Sequence, residues 1–219
     1  MHVVNENQMA FDPQQLGFPS ILGCQAICFH TSRGLYGFHD LKSSPRGTFS
    51  PTQISTEKLL IFAKWVKAQF QTGETGVALY GVINRDEQYN PDAAGNAEWK
   101  SVLLGLVGPK ALDFAGDVFA ARINNHLEKK TSDKVKSVYV EFDAAGGACT
   151  VGFKRWSKME LDDKNKVLPA VQGRIIPDGN AFKADALYGS GKVAPVVRKD
   201  DSKGFNLNRI AVKTFLKFQ

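Results

Sequence analysis

The sequence predicts an α+β protein: a mixed, largely antiparallel central sheet, sandwich-like, flanked by two or three helices. Two hairpin patterns carry that prediction, one at each end of the core. Between them lie segments whose apolar residues repeat at helical spacing, and after them come short strand-like runs.

The elements follow in chain order. The first twenty residues are polar, with Pro13 and Pro19, and are expected to form an irregular arm. Residues 22–30 and 34–41 read as two strands around the turn-type sequence "TSRG". "SSPRGTFSPTQ" is a loop. Leu59, Phe62, Ala63, Val66 and Phe70 then fall on one helical stripe, with Ser50, Thr52 or Ser55 as candidate caps. "GVALYGVI" (76–83) reads as a strand. Trp99, Val102, Leu103, Leu106 and Val107 mark a second helix, stopped by Gly108-Pro109. A third helix is expected from about Lys110 to Lys129, with Ala115, Phe119, Ile123 and Leu127 on one side.

"KVKSVYVEF" and "ACTVGFKRW" flank "DAAGG", a hairpin signal. With Gly146-Gly147 as the turn, Phe142 faces Val151 and Val140 faces Phe153, and Cys149 joins their apolar face. "KVLPAVQGRII", "KVAPVVRK" and "NRIAVKTFLKF" read as short strands, the last with Ile210, Val212, Leu216 and Phe218 alternating with polar positions.

At 219 residues the chain is long enough for one domain with a real core, and its 43% hydrophobic and 23% charged residues are those of an ordinary globular protein. We read residues 1–219 as a single domain, ending in a basic, β-rich part over 151–219. No apolar run approaches the roughly 20 residues that cross a bilayer, so no membrane insertion is expected. The N-terminus has no basic or apolar signal-peptide region. The net charge of +6 is concentrated late: from Val151 onward there are 14 Lys and Arg against 7 acids. These basic residues are scattered with few aromatics near them, a poor match to a nucleic-acid groove, so no nucleic acid is expected. They suit a solvated surface or a docking face for an acidic partner.

Three cysteines are too few, and odd in number, for a disulfide framework. Two of them, Cys24 and Cys28, share the stretch "ILGCQAICFHTSRGLYGFHDL" with two of the four histidines, His30 and His39. Thiol chemistry needs a thiolate, which a nearby imidazole can create by taking the proton and later return to a leaving group. A hairpin that leaves residues 30 and 35 opposite places Ala26 against His39 and Cys24 against Leu41. Cys24, Ala26, Cys28 and His39 then share one face, with both thiols diagonal to the imidazole. A one-residue slip would turn His39 away.

Position separates the thiols. Cys24 follows Gly23 at the strand start, where bare backbone leaves room for substrate and for the Gly23 and Cys24 amides to bind an oxyanion. Cys28 lies mid-strand between Ile27 and Phe29, the setting of a buried thiol. Asp40 should point to the opposite face, so Ser20 or a carbonyl of the "GFPS" segment is the expected group that fixes the imidazole. A metal site from Cys24, Cys28, His30 and His39 lacks a usual zinc spacing, and no metal or cofactor is expected. His126 reads as a helix-end histidine, and His2 belongs to the terminus.

"LGC", a strand, a turn and "LYGFHD" resemble the catalytic core of bacterial glutamine deamidases, among them the cytotoxic necrotizing factor catalytic domain, Burkholderia lethal factor and the chemotaxis receptor deamidase. In the toxins the nucleophile ends a Leu-Ser-Gly-Cys motif and a His follows on the next strand. Here Gly23-Cys24 and His39 fit that layout, with Leu22 in the serine's place. The family's third catalytic element is a backbone carbonyl or a Thr upstream of the Cys. No Thr lies there, which leaves Ser20 or a carbonyl near it. The likeness spans residues 20–41, is topological through the Gly-Gly hairpin, and does not reach the last third.

The resemblance implies a cysteine-dependent hydrolase that converts a glutamine of a partner protein to glutamate without a cofactor. It implies a monomeric toxin or virulence effector acting on a host protein such as a small GTPase or translation factor, delivered to the host cytosol without a signal peptide. A receptor deamidase of the bacterial cytoplasm is the alternative within the family. Outside it stand a cysteine protease or transglutaminase-like acyltransferase, which usually place the Cys at a helix N-terminus, and a non-enzymatic basic binding module. An accessible Cys24 beside His39 would favour catalysis, and a buried one the binding module.

Overall fold

A computed structural model of the chain describes residues 1–4, 6, 8–21, 24–41, 51–84, 93–123, 138–145, 147–155, 208–210 and 216–218. The expected strands "KVLPAVQGRII" and "KVAPVVRK", and His126, lie outside these residues. The α+β class holds, with two helices and two mixed, mostly antiparallel sheets among the described residues.

The first hairpin forms as its alternation predicts. Strand β4 (Cys24–Thr31) and strand β5 (Gly34–Leu41) pair antiparallel around the two-residue turn 32–33, with Ala26 opposite His39 and Cys24 opposite Leu41. The register that puts Cys24 and His39 on one face is therefore the one adopted. Strand β6 (Gly76–Ile83) pairs with the other side of β4.

Helix α1 (Pro51–Gln69) precedes β6, and helix α2 (Ala93–Leu104) follows it. Pro51 opens α1, a position where its missing N–H costs nothing. Thr52 and Ser55 lie inside the helix and cannot cap it, and Ser50 falls outside the described residues. Helix α2 ends at Leu104, earlier than its apolar stripe suggests. Leu106 and Val107 continue in tight turns to the Leu103 and Leu104 carbonyls before Gly108 turns the chain at φ +140°.

The expected third helix is instead a strand, β7 (Asp117–Arg122), running parallel to β6. Its residues 118–121 are apolar on both sides because both faces of this strand are covered. Val118 and Ala120 pack under the helices, while Phe119 and Ala121 face the second sheet. A short, continuous apolar run of this kind does not distinguish strand from helix by period.

Residues 1–20 are not an irregular arm. They form strands β1 (His2–Val3), β2 (Met9–Asp12) and β3 (Gln15–Ile21). The prolines are accommodated where strands tolerate them. Pro13 sits in the β2–β3 turn, where Asp12 Oδ1 accepts hydrogen bonds from the Gln14 and Gln15 amides, each 2.8 Å. Pro19 and Ser20 fall in a bulge of β3, between the pairs Phe18–Val140 and Ile21–Val138.

Strands β8 (Val138–Asp143) and β9 (Thr150–Arg155) form the second hairpin with Phe142 opposite Val151 and Val140 opposite Phe153, as expected. Their ladder stops at Asp143–Thr150, so the connection is longer than a two-residue turn. The last segment is not one strand. Strands β10 (Asn208–Ile210) and β11 (Leu216–Phe218) join different sheets, on β9 and β7 respectively.

The sheets are β1-β3-β8-β9-β10 and β11-β7-β6-β4-β5-β2. One face of the six-stranded sheet buries Ile27, Phe29, Tyr36, Phe38 and Leu79 against Leu59, Phe62, Val66, Trp99 and Leu103 of the helices. The other face packs Cys24, Ala26, Cys28, Tyr80 and Val82 against Leu16, Phe18, Val140, Phe142, Val151 and Phe153 of the five-stranded sheet. The molecule is thus three layers, helices over sheet over sheet. No helix among the described residues is long and apolar enough to cross a membrane.

Candidate active site

Cys24 and His39 lie in the seam between the two sheets. Alternation along β4 sends Cys24, Ala26 and Cys28 into that seam, and His39, opposite Ala26, points the same way. Cys24 is a diagonal neighbour of His39 across the strand pair, on the same face, but its thiol and the imidazole Nε2 are not hydrogen-bonded. Both residues are secluded: Cys24 is 1% exposed and His39 is fully buried.

His39 is held on three sides. Its backbone amide donates to the Gln8 carbonyl at 3.1 Å. The edge of the Phe18 ring meets the imidazole, centroids 6.0 Å apart. Nδ1 lies 3.0 Å from the Val4 carbonyl oxygen, so Nδ1–H donates and Nε2 carries the lone pair. Among the described residues, Nε2 has no hydrogen-bond partner. Burial holds the imidazole neutral, with its pKa down at about 4. The Val4 bond opposes that fall, and the Lys58 charge adds to it.

The group that meets the imidazole Nδ1 is therefore a backbone carbonyl upstream of the cysteine, that of Val4. Val4 is placed there because its own amide donates to the Gly17 carbonyl at 2.7 Å, continuing the β1–β3 pairing toward β5. A backbone carbonyl has no sequence signature. The available signal was the apolar pair Val3-Val4 inside a polar stretch, which marks a buried strand end. The Ser20 side chain, Leu22 and Gly23 fall outside the described residues.

The other thiols differ from Cys24 in setting. Burial, with Cys149 adding to it, pushes the Cys28 thiol well up, and burial pushes Cys149 up to about 12. Cys149 packs with Val151 and Phe153, as the hairpin register predicted. Cys24 and His30 stand six positions apart on one extended strand, roughly 20 Å. That distance rules out one ion shared by all four Cys and His residues of the hairpin. No group of three metal-binding side chains occurs among the described residues.

Asp40 points to the helix face, away from the imidazole, where it meets Lys58 Nζ at 3.6 Å in a buried ion pair. On that same face, Trp99 Nε1 donates to Gln25 Oε1 at 2.6 Å, and the Arg122 guanidinium lies 4.9 Å from the centre of the Trp99 ring. Asn84, just after β6, donates Nδ2–H to the Ile21 carbonyl at 3.0 Å.

The arrangement has a cysteine at a strand end and a neutral imidazole on the adjacent strand, its Nδ1 anchored and its Nε2 unused. Such a pair can carry general-base nucleophilic chemistry once a substrate reaches the thiol. No protein-family model matches the chain, and no curated protein matches it either.

Proposed function

We propose that the protein is a cysteine-dependent glutamine deamidase, with Cys24 as nucleophile and His39 as general base. The observation that carries this reading is the His39 tautomer. A buried imidazole nitrogen without a partner costs about 1–3 kcal/mol, and native cores rarely keep one without a use. Here the unused atom is the base nitrogen, on the face that Cys24 shares, and a backbone carbonyl upstream of the cysteine fixes the other nitrogen. That is the arrangement implied by the resemblance to the deamidase toxins. The position of Cys24 on a strand supports a deamidase over the protease and transglutaminase-like readings, whose cysteine usually starts a helix.

In the proposed reaction His39 Nε2 takes the Cys24 proton and Sγ attacks the side-chain carbonyl carbon of a glutamine in a partner protein. Backbone amides, with those of Gly23 and Cys24 as the candidates, hold the oxyanion. The C–N bond breaks as the imidazolium protonates the departing ammonia. Water then attacks the thioester, giving its proton to His39. The S–C bond breaks, leaving glutamate, and the thiol recovers its proton. No cofactor enters. Because Cys24 is covered, the substrate must displace what covers it before the first step.

One observation favours a second reading, the binding module that a buried Cys24 was expected to indicate. A thiol 1% exposed beside a fully buried histidine also describes a plain core, and then the basic last third would make the protein a binding module. Wild type and Cys24→Ser, incubated with candidate small GTPases and translation factors, separate the two. Mass spectrometry should show amide-to-acid conversion at one glutamine with wild type only. Wild type that modifies no partner while binding one would establish the module instead.

A further inference from the structure

Resting on the reading of His39 as general base, we infer that Asp12 is a positioning residue, which through His2 ties β1 down and so keeps the Val4 carbonyl on the imidazole. The need for a tie comes from the element that delivers the carbonyl. A neutral imidazole can carry its proton on either nitrogen, and the Val4 oxygen, 3.0 Å from Nδ1, selects the form with the lone pair on Nε2. Val4 follows β1, two residues paired parallel with β3 at His2–Leu16 and Val3–Gly17, on the edge of the five-stranded sheet among the described residues. One further backbone bond, from the Val4 amide to the Gly17 carbonyl at 2.7 Å, extends that pairing. The Val4 side chain is fully buried in the seam, but apolar burial is non-directional and does not aim a carbonyl. A strand this short frays unless something holds its far end.

Asp12, the last residue of β2, holds it. Its Oδ2 lies 2.7 Å from His2 Nδ1 and 3.4 Å from the Met1 amino nitrogen. Its Oδ1 accepts from the Gln14 and Gln15 amides, so the buried carboxylate is itself fixed in place. Asp12 pairs with Leu35 of β5 in the six-stranded sheet, whereas His2 belongs to the five-stranded one, so their contact joins the two sheets at one end of β1. Just past its other end the Val4–His39 bond joins the same two sheets. The two oxygens of one carboxylate thus have separate tasks. Oδ1 caps the β2–β3 turn, and Oδ2 reaches across to β1, the contact on which the base depends.

The test needs no glutamine substrate. In the full chain at neutral pH, proton–nitrogen NMR correlations of the His39 ring show which nitrogen carries the proton, and hydrogen exchange is followed at the Val4 amide. Wild type should show the Nδ1–H form. His2→Ala removes one side of the tie. Asp12→Ser removes the other, because a serine hydroxyl still caps the turn but has no second oxygen to reach β1. Each variant should speed Val4 exchange about tenfold or more, the effect of losing one hydrogen bond to a charged group, and bring the Nε2–H form into the His39 spectrum. His2→Asn returns an N–H donor to the place of Nδ1 and should restore both readouts. Faster Val4 exchange with His39 still wholly Nδ1–H overturns the inference and leaves the base standing, and so does no change in either readout. Equal acceleration at Val140 and Phe142 of β8 would mean a general loosening and overturns it too. An Nε2–H form in wild type overturns both the inference and the reading of His39 on which it rests. Should Asp12→Ser fail to fold, His2→Ala and its rescue by His2→Asn decide alone.

Discussion

His39 donates its Nδ1 proton to the Val4 carbonyl oxygen at 3.0 Å, across 35 positions of chain. That bond sets the tautomer of a fully buried imidazole and makes the N-terminal strands part of the candidate site.

It also makes stability depend on pH. Burial lowers the His39 pKa from the usual ~6.5 to about 4, so between those values the unfolded chain binds a proton that the folded chain refuses. The His39 contribution is complete above pH 6.5 and is lost as pH falls toward 4, by about 3 kcal/mol. Burial depresses His30 in the same direction, so some slope survives in its absence. At Asp12, burial raises the pKa but the bonds from His2, Gln15 and Gln14 outweigh it and leave it at about 2, which puts its window lower. Urea unfolding at pH 7.5 to 4.5 should show wild type weakening more steeply than His39→Leu. Parallel slopes would contradict the buried neutral imidazole.

Asp40 follows His39 but belongs to the helix layer, paired with Lys58 at 3.6 Å with both side chains buried. Removing one partner takes a close opposite charge from a buried one, so Asp40→Ala should cost up to about 3–5 kcal/mol, whereas the double change Asp40→Leu, Lys58→Met should recover most of it. Chemical denaturation of the two variants measures this directly. Equal losses would show that the pair is not desolvated as it stands.

The first hairpin was legible because β-strand parity, once the turn was placed, leaves only two faces for each residue, and "TSRG" placed the turn. Hence Cys24 with His39, and Asp40 opposite to them, could be read from spacing alone. The layering of the fold could not. Residues 118–121 are apolar on both faces because they lie under two layers, and nothing local announces a second layer. Pro13 and Pro19 suggest irregular chain until a turn and a bulge take them in. The Val4 carbonyl was out of reach for a deeper reason: every residue has one, and only long-range packing chooses which meets the imidazole.

The three thiols should separate by reactivity. With the Cys28 thiol pushed well up by burial and Cys149 pushed to about 12, neither should be alkylated in the folded protein near pH 7.5. Cys28→Ala and Cys149→Ala should each cost about 1 kcal/mol for the atom lost from the seam and leave Cys24 chemistry intact. Iodoacetamide labelling with peptide mapping gives the order, and preferential labelling of Cys28 would remove Cys24 as the nucleophile.

Gly37 tests the coupling between the sheets and His39. It sits two residues before the histidine on the same face. A Cβ there would come within 2.7 Å of Leu16 Cδ1, 3.0 Å of Phe18 Cζ and 3.5 Å of Val4 Cγ2. Gly37→Ala must therefore displace the ends of the Leu16 and Phe18 side chains, at about 1–3 kcal/mol. Of these, Phe18 meets the imidazole through its ring edge. Moving that ring opens the packing around the imidazole and relieves the burial that keeps its pKa low, so the His39 NMR titration should rise from about 4 toward 6.5. Gly73→Ala is the matched control. Gly73 has φ +82° with open space around it, so a methyl there costs about 1–2 kcal/mol of backbone strain far from the seam and should leave the His39 titration unmoved. Equal shifts in both variants would mean that the titration follows global stability. A shift confined to Gly37→Ala would mean that it follows the spacing of the two sheets.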